Sequence, residues 1–370
     1  MWLGFAGYLG ALALAPRLGR RIVWAAILLC VTAFAVAPVL LSHDVYSYVD
    51  YARLGARHGL DPYVHPPQAA PADPAYAEVT WTEATSAYGP LFTLATYPLA
   101  WLPVGVAVAV LKAAAALSVL GIAAIASRLA AWRGTDPLRA AAFVALNPLV
   151  LVHVVGGAHN DGLTMLLAMG AIAALLSARE LTGGGALAAA IATKTSAAAI
   201  APFALLGTLR DPSPVPFRGI GTKRNRRMGL RLLIGGLGAA FAITGAAWLA
   251  FGWDWLRGFG LAGENQGRTS HMSLPITTAR LTGLDPNTVR LAAAILFLAA
   301  ITYLLHWTWR GGDWIRAAAW ATLALLLATA WLLPWYLVWL LPLAAISRDR
   351  PLQLLTLTLT AYQLGARIPL

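Results

Sequence analysis

The chain has 370 residues, of which 59% are hydrophobic and 11% charged, and its formal net charge is +12. A mean hydropathy of +0.68 excludes an ordinary water-soluble domain, and apolar runs of about 20 residues, each long enough to cross a hydrocarbon core, recur along the chain. Cys30 is the single cysteine, which excludes an intrachain disulfide or a cysteine-based metal site.

The first apolar stretch, 2–16, has no basic leader before it and runs into Arg17, Arg20 and Arg21. It therefore reads as a retained first span rather than a cleaved signal peptide. Further spans are expected at 22–42, 104–131, 139–156, 161–178, 231–251, 288–308, 315–332, 335–347 and 351–368, about ten in all. Two other apolar pieces are too short or too broken to cross: 89–103, expected as a half-span, and 184–209, expected as a re-entrant hairpin with Lys194 in its middle. The fold class is an all-α polytopic membrane protein, a single helix-bundle domain over 1–370 with re-entrant pieces.

Orientation follows from the positive-inside rule. With 42–88 outside, Arg128, Arg133, Arg139, Arg179, Arg310, Arg316, Arg348 and Arg350 all fall inside. So does the basic loop 210–231, which carries Arg210, Arg218, Lys223, Arg224, Arg226, Arg227 and Arg231. Most of the acids, Asp44, Asp50, Asp161, Asp254 and Glu264 among them, then fall outside. The net charge is thus mainly a topology signal, with contact to anionic membrane lipids second. The basic cluster has no interleaved aromatics and follows a proline-rich loop, so nothing points to nucleic acid.

The first outer segment, 42–88, begins "SHDVYSYVDYARLGARHGLDPY". Asp44 stands just past the end of an apolar run, followed by Tyr46, Tyr48 and Tyr51. A carboxylate at a bilayer rim is costly facing lipid, so it should face a cavity or water. Val45, Tyr48, Val49, Ala52 and Ala56 recur at helical spacing, with Asp50, Arg53 and Arg57 between them, which predicts a short amphipathic helix on the membrane surface. Asp44 has two readings here: a helix N-cap, or a reactive carboxylate. Tyr63, His65, Trp81 and Tyr88 make the rest of the segment aromatic, suited to headgroup anchoring or to stacking on sugar rings.

The second outer island is "GGAHND", 156–161, which holds His159, Asn160 and Asp161. Asn160 or Asp161 can cap the next helix, whereas His159 has no such role, and the dispersed groups make no fixed metal-ligand spacing. The third island, 252–287, sets Arg257, Arg268, His271 and Arg280 beside Asn265 and Gln266. Cations outside run against the inside-positive rule. Their partners are either the loop's own Asp254, Glu264 and Asp285 or a phosphate at headgroup level, with Arg268, His271 and Arg280 as the binding group. Lys194, in "ATKTS", is a functional candidate by its depth in an apolar region, although helix-end carbonyls or inner headgroups would also satisfy it.

"SHDVYSYVDYARLG", "GLDPYVHPP", "YGPL", "GGAHNDGL", "ATKTSAAAIAPF" and "LPWYLVWLLPL" stand in this order. Together they resemble the actinobacterial polyprenol-phosphate-mannose-dependent α-1,6-mannosyltransferases, multispanning glycosyltransferases of the GT-C fold. The resemblance covers most of the chain from about residue 40 onward. It implies an inverting hexosyl, in particular mannosyl, transfer from a polyprenol-phosphate donor to a hydroxyl of a cell-envelope glycan or glycolipid. It also implies a plasma-membrane enzyme whose site faces the extracytoplasmic side, with no cofactor and no obligatory metal. The family's catalytic base falls on Asp44. Tyr46, Tyr48, Tyr63, Tyr88, His159 and Asp161 are then candidates for binding acceptor or sugar, and Arg268, His271 and Arg280 for the donor phosphate. A lipid transporter or flippase is the alternative, since broken helices and an intramembrane lysine serve transport as well.

Overall fold

The structure, a computed structural model, describes residues 2–210, 222–264 and 267–365. It is all-helical among these residues. The chain opens with α1 (Trp2–Leu14), α2 (Arg20–Val36) and α3 (Asp44–His58), then, after a proline-rich loop, α4 (Pro90–Thr96), α5 (Val104–Trp132) and α6 (Pro137–Ala145). A π-helical turn, Val150–Val155, leads to α7 (Asp161–Leu176), α8 (Glu180–Thr193), α9 (Ala201–Arg210) and α10 (Thr222–Phe251). The remainder is α11 (Leu256–Glu264), α12 (Leu274–Thr282), α13 (Pro286–Trp309), α14 (Trp314–Ala328), α15 (Leu337–Ile346) and α16 (Arg350–Gly365). Several starts are written in the sequence as a capping Asp or Ser with proline just inside: Asp136 accepts from the Arg139 N–H, Ser273 from Ile276 and Asp285 from Thr288.

Among the described residues three helices, Val104–Trp132, Met228–Phe251 and Pro286–Trp309, are long and apolar enough to cross a membrane. Half of the apolar stretch of α5 is buried, against 11% for α10 and 6% for α13. So α5 is the central post of a polytopic membrane bundle, packed by α2, α3, α6, α7 and α15. The other two turn apolar faces outward, with Phe241 and Leu249 exposed on α10 and Leu291 and Leu296 on α13. Lys112, buried in α5, donates to the carbonyls of Ala37 and Pro38 just past α2. That answers the free acceptors a helix end leaves behind in an apolar region.

Several expected segments differ in detail. The span expected at 139–156 is broken, because α6 stops at Ala145 and Asn147 takes over: its side chain accepts from the Leu149 N–H and donates to Thr360. Residues 89–103 form α4 and a 3-10 turn, Tyr97–Trp101. Within the basic loop 210–231, residues 211–221 lie outside the described residues, and α10 already begins at Thr222. Asn265 and Gln266 of the third island also lie outside them, and the rest of 252–287 is largely α11 and α12.

The segment 184–209 doubles back. At its start Gly184 packs against Leu232 of α10, where an added Cβ would lie 2.0 Å from the Leu232 carbonyl oxygen; at its end Leu209 packs against Gly229. Both ends of the α8–α9 hairpin therefore lie beside the first half of α10. Its tip, Lys194, has extended backbone between α8 and a 3-10 turn, Thr195–Ile200.

The expectation of α3 as a helix lying on the surface is corrected. Val45 through Leu54 apart from Tyr46 are buried on every side, Asp50 and Arg53 included. The proline-rich loop folds over the helix instead: the Arg53 guanidinium meets Asp73 at 2.7 Å, and His58 meets the other oxygen of Asp73 at 2.7 Å. Tyr51 donates to the Ala84 carbonyl at 2.7 Å. Pairing across this loop is what lets Arg53 and Asp73 sit inside, whereas Asp50 enters none of these pairs.

Candidate active site

A cavity of about 350 Å³ opens between α3, the hairpin tip, the end of α14 and the start of α15. From α3 it receives Asp44, Ser47, Tyr48 and Tyr51, one stripe at helical spacing. Of the two readings of Asp44, capping is not what its side chain does. The N-cap position is His43, α3 has no side-chain cap bond, and Asp44 is the first helical residue. Its carboxylate is 17% exposed, on the cavity. Burial raises the Asp44 pKa above the ordinary carboxylate value and the Asp161 charge adds to this, while the Lys194 charge and bonds from Ser42 and Trp81 oppose it.

Behind Asp44 stands the GGAHND turn. His159 Nδ1 is 3.6 Å from the Asp44 carboxylate, and the ring stacks on Trp335 at 3.8 Å and 17°. The turn is tight: a Cβ on Gly157 would lie 2.6 Å from the His153 carbonyl and 3.1 Å from the His159 ring, and Ala158 has a positive φ of 55°. Strain of this kind persists where the surroundings fix it. Asn160 is buried, its backbone N–H 3.5 Å from the Tyr48 hydroxyl, and among the described residues neither side-chain amide atom has a hydrogen-bond partner.

Asp161, at the start of α7, is fully buried. It accepts from Lys194 Nζ at 2.8 Å on each oxygen and from Trp339 Nε1 at 2.6 Å. The Lys194 ammonium also lies over Tyr336 at 5.3 Å and Trp339 at 5.7 Å, two rings stacked on each other at 4.1 Å. Lys194 lines the cavity and keeps 18% of its side chain exposed. The expectation of helix-end carbonyls or inner headgroups as its partners is thus replaced by an ion pair. Arg268 lines the mouth, its guanidinium 5.2 Å from the Trp81 ring and 6.0 Å from Trp331.

Of the residues expected from sequence, Asp44, Tyr48, Tyr88 and Arg268 line one cavity, and His159 and Asp161 brace its wall. The rest lie elsewhere. Tyr63 is buried in a separate cluster, bonded to the Tyr88 carbonyl and Thr93 and edge-on to Phe251. Tyr46 packs edge-on against His43. His271 and Arg280 are exposed and outside the cavity, so the three expected phosphate ligands do not come together. Sequence reasoning missed Ser47, Ser196, Trp331 and Trp339, and underrated Lys194, whose signal was a lone cation in an apolar run.

The arrangement can take a proton from a hydroxyl at Asp44, hold an anion at Lys194 and Arg268, and stack ring faces on Trp81, Trp335 and Tyr336. Among the described residues no three His, Cys, Asp or Glu gather as a metal site.

Residues 1–210 match the family described as alpha-(1->6)-mannopyranosyltransferase, N-terminal domain. The chain is 32% identical over 352 residues to alpha-(1->6)-mannopyranosyltransferase A of Mycobacterium tuberculosis, a match covering 85% of this chain and 64% of that protein. It is 30% identical over 174 residues to alpha-(1->6)-mannopyranosyltransferase A of Corynebacterium glutamicum, covering 45% of this chain and 35% of that one. The chain thus spans less than two thirds of the length of the curated relatives it matches. No solved structure matches it.

Proposed function

Because the chain belongs to the alpha-(1->6)-mannopyranosyltransferase family, we propose that it transfers mannose from a polyprenol-phosphate donor to a hydroxyl of a glycan or glycolipid acceptor, with Asp44 as general base. The observation that carries this reading is a desolvated carboxylate and two cations, Lys194 and Arg268, lining one aromatic cavity.

The chemistry is an inverting displacement at the anomeric carbon. Asp44 takes the proton of the acceptor hydroxyl as its oxygen bonds to that carbon; the bond to the phosphate oxygen breaks, and polyprenyl phosphate leaves with its electron pair. Positive charge on the leaving-group side favours that departure, a role that falls to Lys194 and Arg268. The Asp161 carboxylate and the Trp339 and Tyr336 rings hold Lys194 while leaving part of it open to the cavity. Leu261, Leu325 and Leu333 give the cavity an apolar side along which a prenyl tail can run back into lipid. The partition of basic and acidic residues supports an extracytoplasmic site, where a sugar must arrive on a lipid.

The test is the purified chain in detergent with a panel of polyprenol-phosphate sugars and a mannan oligosaccharide acceptor, with products weighed by mass spectrometry. A mannose-sized increment that requires Asp44 is expected. Wild-type transfer by a folded Asp44→Asn protein would remove the proposed base. Absence of transfer with every donor, alongside movement of labelled lipid across vesicles, would instead favour a flippase.

A further inference from the structure

A second cavity, about 650 Å³, lies at the far end of α15 from the Asp44 site, between the α5–α6 turn, α6 and the first turns of α16. Its rim carries Arg139, Arg348 and Arg350, all exposed. Its walls are two helical stripes, Ala140 and Phe143 on α6 and Leu354 and Leu357 on α16. The charge there is unbalanced. Among the described residues none of the three arginines enters an ion pair. Among the described residues Asp136 is the only acid lining the cavity, and it accepts from the Arg139 backbone N–H as the α6 cap. Asp349, next in the chain to both Arg348 and Arg350, is buried and turned away, bonded to Arg316 and Trp320. The backbone also fixes the rim, since Arg348 holds a positive φ of 60°, rare for a side-chain-bearing residue.

A cationic rim above an apolar trough in a membrane bundle matches one kind of molecule: an amphiphile with an anionic head and a hydrocarbon tail. Guanidinium forks take phosphate oxygens in pairs, and an acyl chain would cover the exposed Leu354 and the half-buried Leu357. We infer that this groove is a binding site for an anionic phospholipid of the surrounding leaflet, separate from the donor and acceptor chamber. The leaflet is the one facing the side where the arginines gather, and basic pockets between helices on that side select acidic headgroups. The site does not depend on the transferase reading.

The test uses the full chain in detergent, with thermal unfolding and native mass spectrometry after addition of phosphatidylglycerol, phosphatidylcholine or inorganic phosphate. Phosphatidylglycerol should raise the unfolding midpoint and give a discrete one-lipid adduct, whereas the other two should do neither. The triple replacement Arg139→Gln, Arg348→Gln, Arg350→Gln should weaken the adduct at least tenfold. The matched replacement Arg17→Gln, Arg20→Gln, Arg21→Gln, off the groove, should leave it unchanged. If the triple protein misfolds, Arg139→Gln and Arg350→Gln singly carry the test, each with a severalfold loss. Equal effects of the two lipids, full stabilisation by inorganic phosphate alone, or equal loss in the matched control would each overturn the inference.

Discussion

Lys194 donates to both carboxylate oxygens of Asp161 at 2.8 Å, joining the tip of the α8–α9 hairpin to the first residue of α7. The carboxylate is wholly buried, so removing Lys194 leaves the Asp161 charge with neither water nor counter-ion. Lys194→Met should therefore lower stability by about 3–5 kcal/mol, as breaking a buried pair does. The double replacement Lys194→Met, Asp161→Asn should recover much of that loss without recovering transfer. Calorimetry and product assays on the three proteins check this; full activity in the double variant would take Lys194 out of the chemistry.

Asp44→Asn should leave the unfolding temperature nearly unchanged, because α3 draws no cap bond from this side chain. Transfer should fall by roughly 10²–10⁴-fold, the usual worth of a positioned acid–base group. Single-turnover rates with saturating donor separate this from a binding defect. An unchanged rate would turn attention to Asp161.

Arg268→Ala should raise the donor KM about tenfold or more, the worth of a charge-assisted hydrogen bond to phosphate. His271→Ala and Arg280→Ala should stay near wild type, since both side chains are exposed away from the cavity. The three KM values measured side by side decide the matter, and equal losses would restore the three as a set.

Asp50 gives a pH signature. Burial first, and the neighbouring Asp73 charge second, push its pKa from 3.8 to about 7 in the folded protein. The sign follows from proton counts. Between about pH 4 and 7 the folded state keeps a proton that the unfolded state has lost, so this group's contribution to stability falls as pH rises through that window. Asp50→Asn should flatten that part of the profile and gain most relative to wild type above pH 7, with little change in transfer. Parallel melting curves from pH 4 to 8 measure the difference; profiles that stay parallel would contradict the assignment.

In a Cys30→Ser background, a cysteine at the exposed position Ala72 should react with an impermeant reagent in intact cells, and one at the exposed position Arg179 only after permeabilisation. The opposite pattern would invert the proposed orientation of the whole chain.

The sequence made some of this legible for physical reasons. Asp44 and the GGAHND turn stand out because polar groups are costly at the edges of apolar runs, and the doubling-back at Lys194 shows as a cation splitting such a run. What stayed hidden depends on partners far along the chain. Arg53 and Asp50 look solvent-facing until Asp73, 20 residues on, closes over the helix. Lys194 looks like a headgroup anchor until Asp161, 33 residues away, comes within bonding distance. The grouping of Arg268 with His271 and Arg280 came from nearness in sequence, whereas α12 carries Arg280 off on its last turn.

Along its axis α15 is only ten residues, about 15 Å, with Trp339 toward the Asp44 chamber and Ala345 toward the basic groove. A hydrocarbon layer is about 30 Å thick. On the proposed orientation, a chamber so close to the opposite rim would lie in a dimple below the surrounding headgroups. A lipid-borne sugar would slide in sideways at its own depth, while the hydrophilic acceptor makes the descent. Thickening the host bilayer should then slow capture of the acceptor and leave capture of the donor untouched.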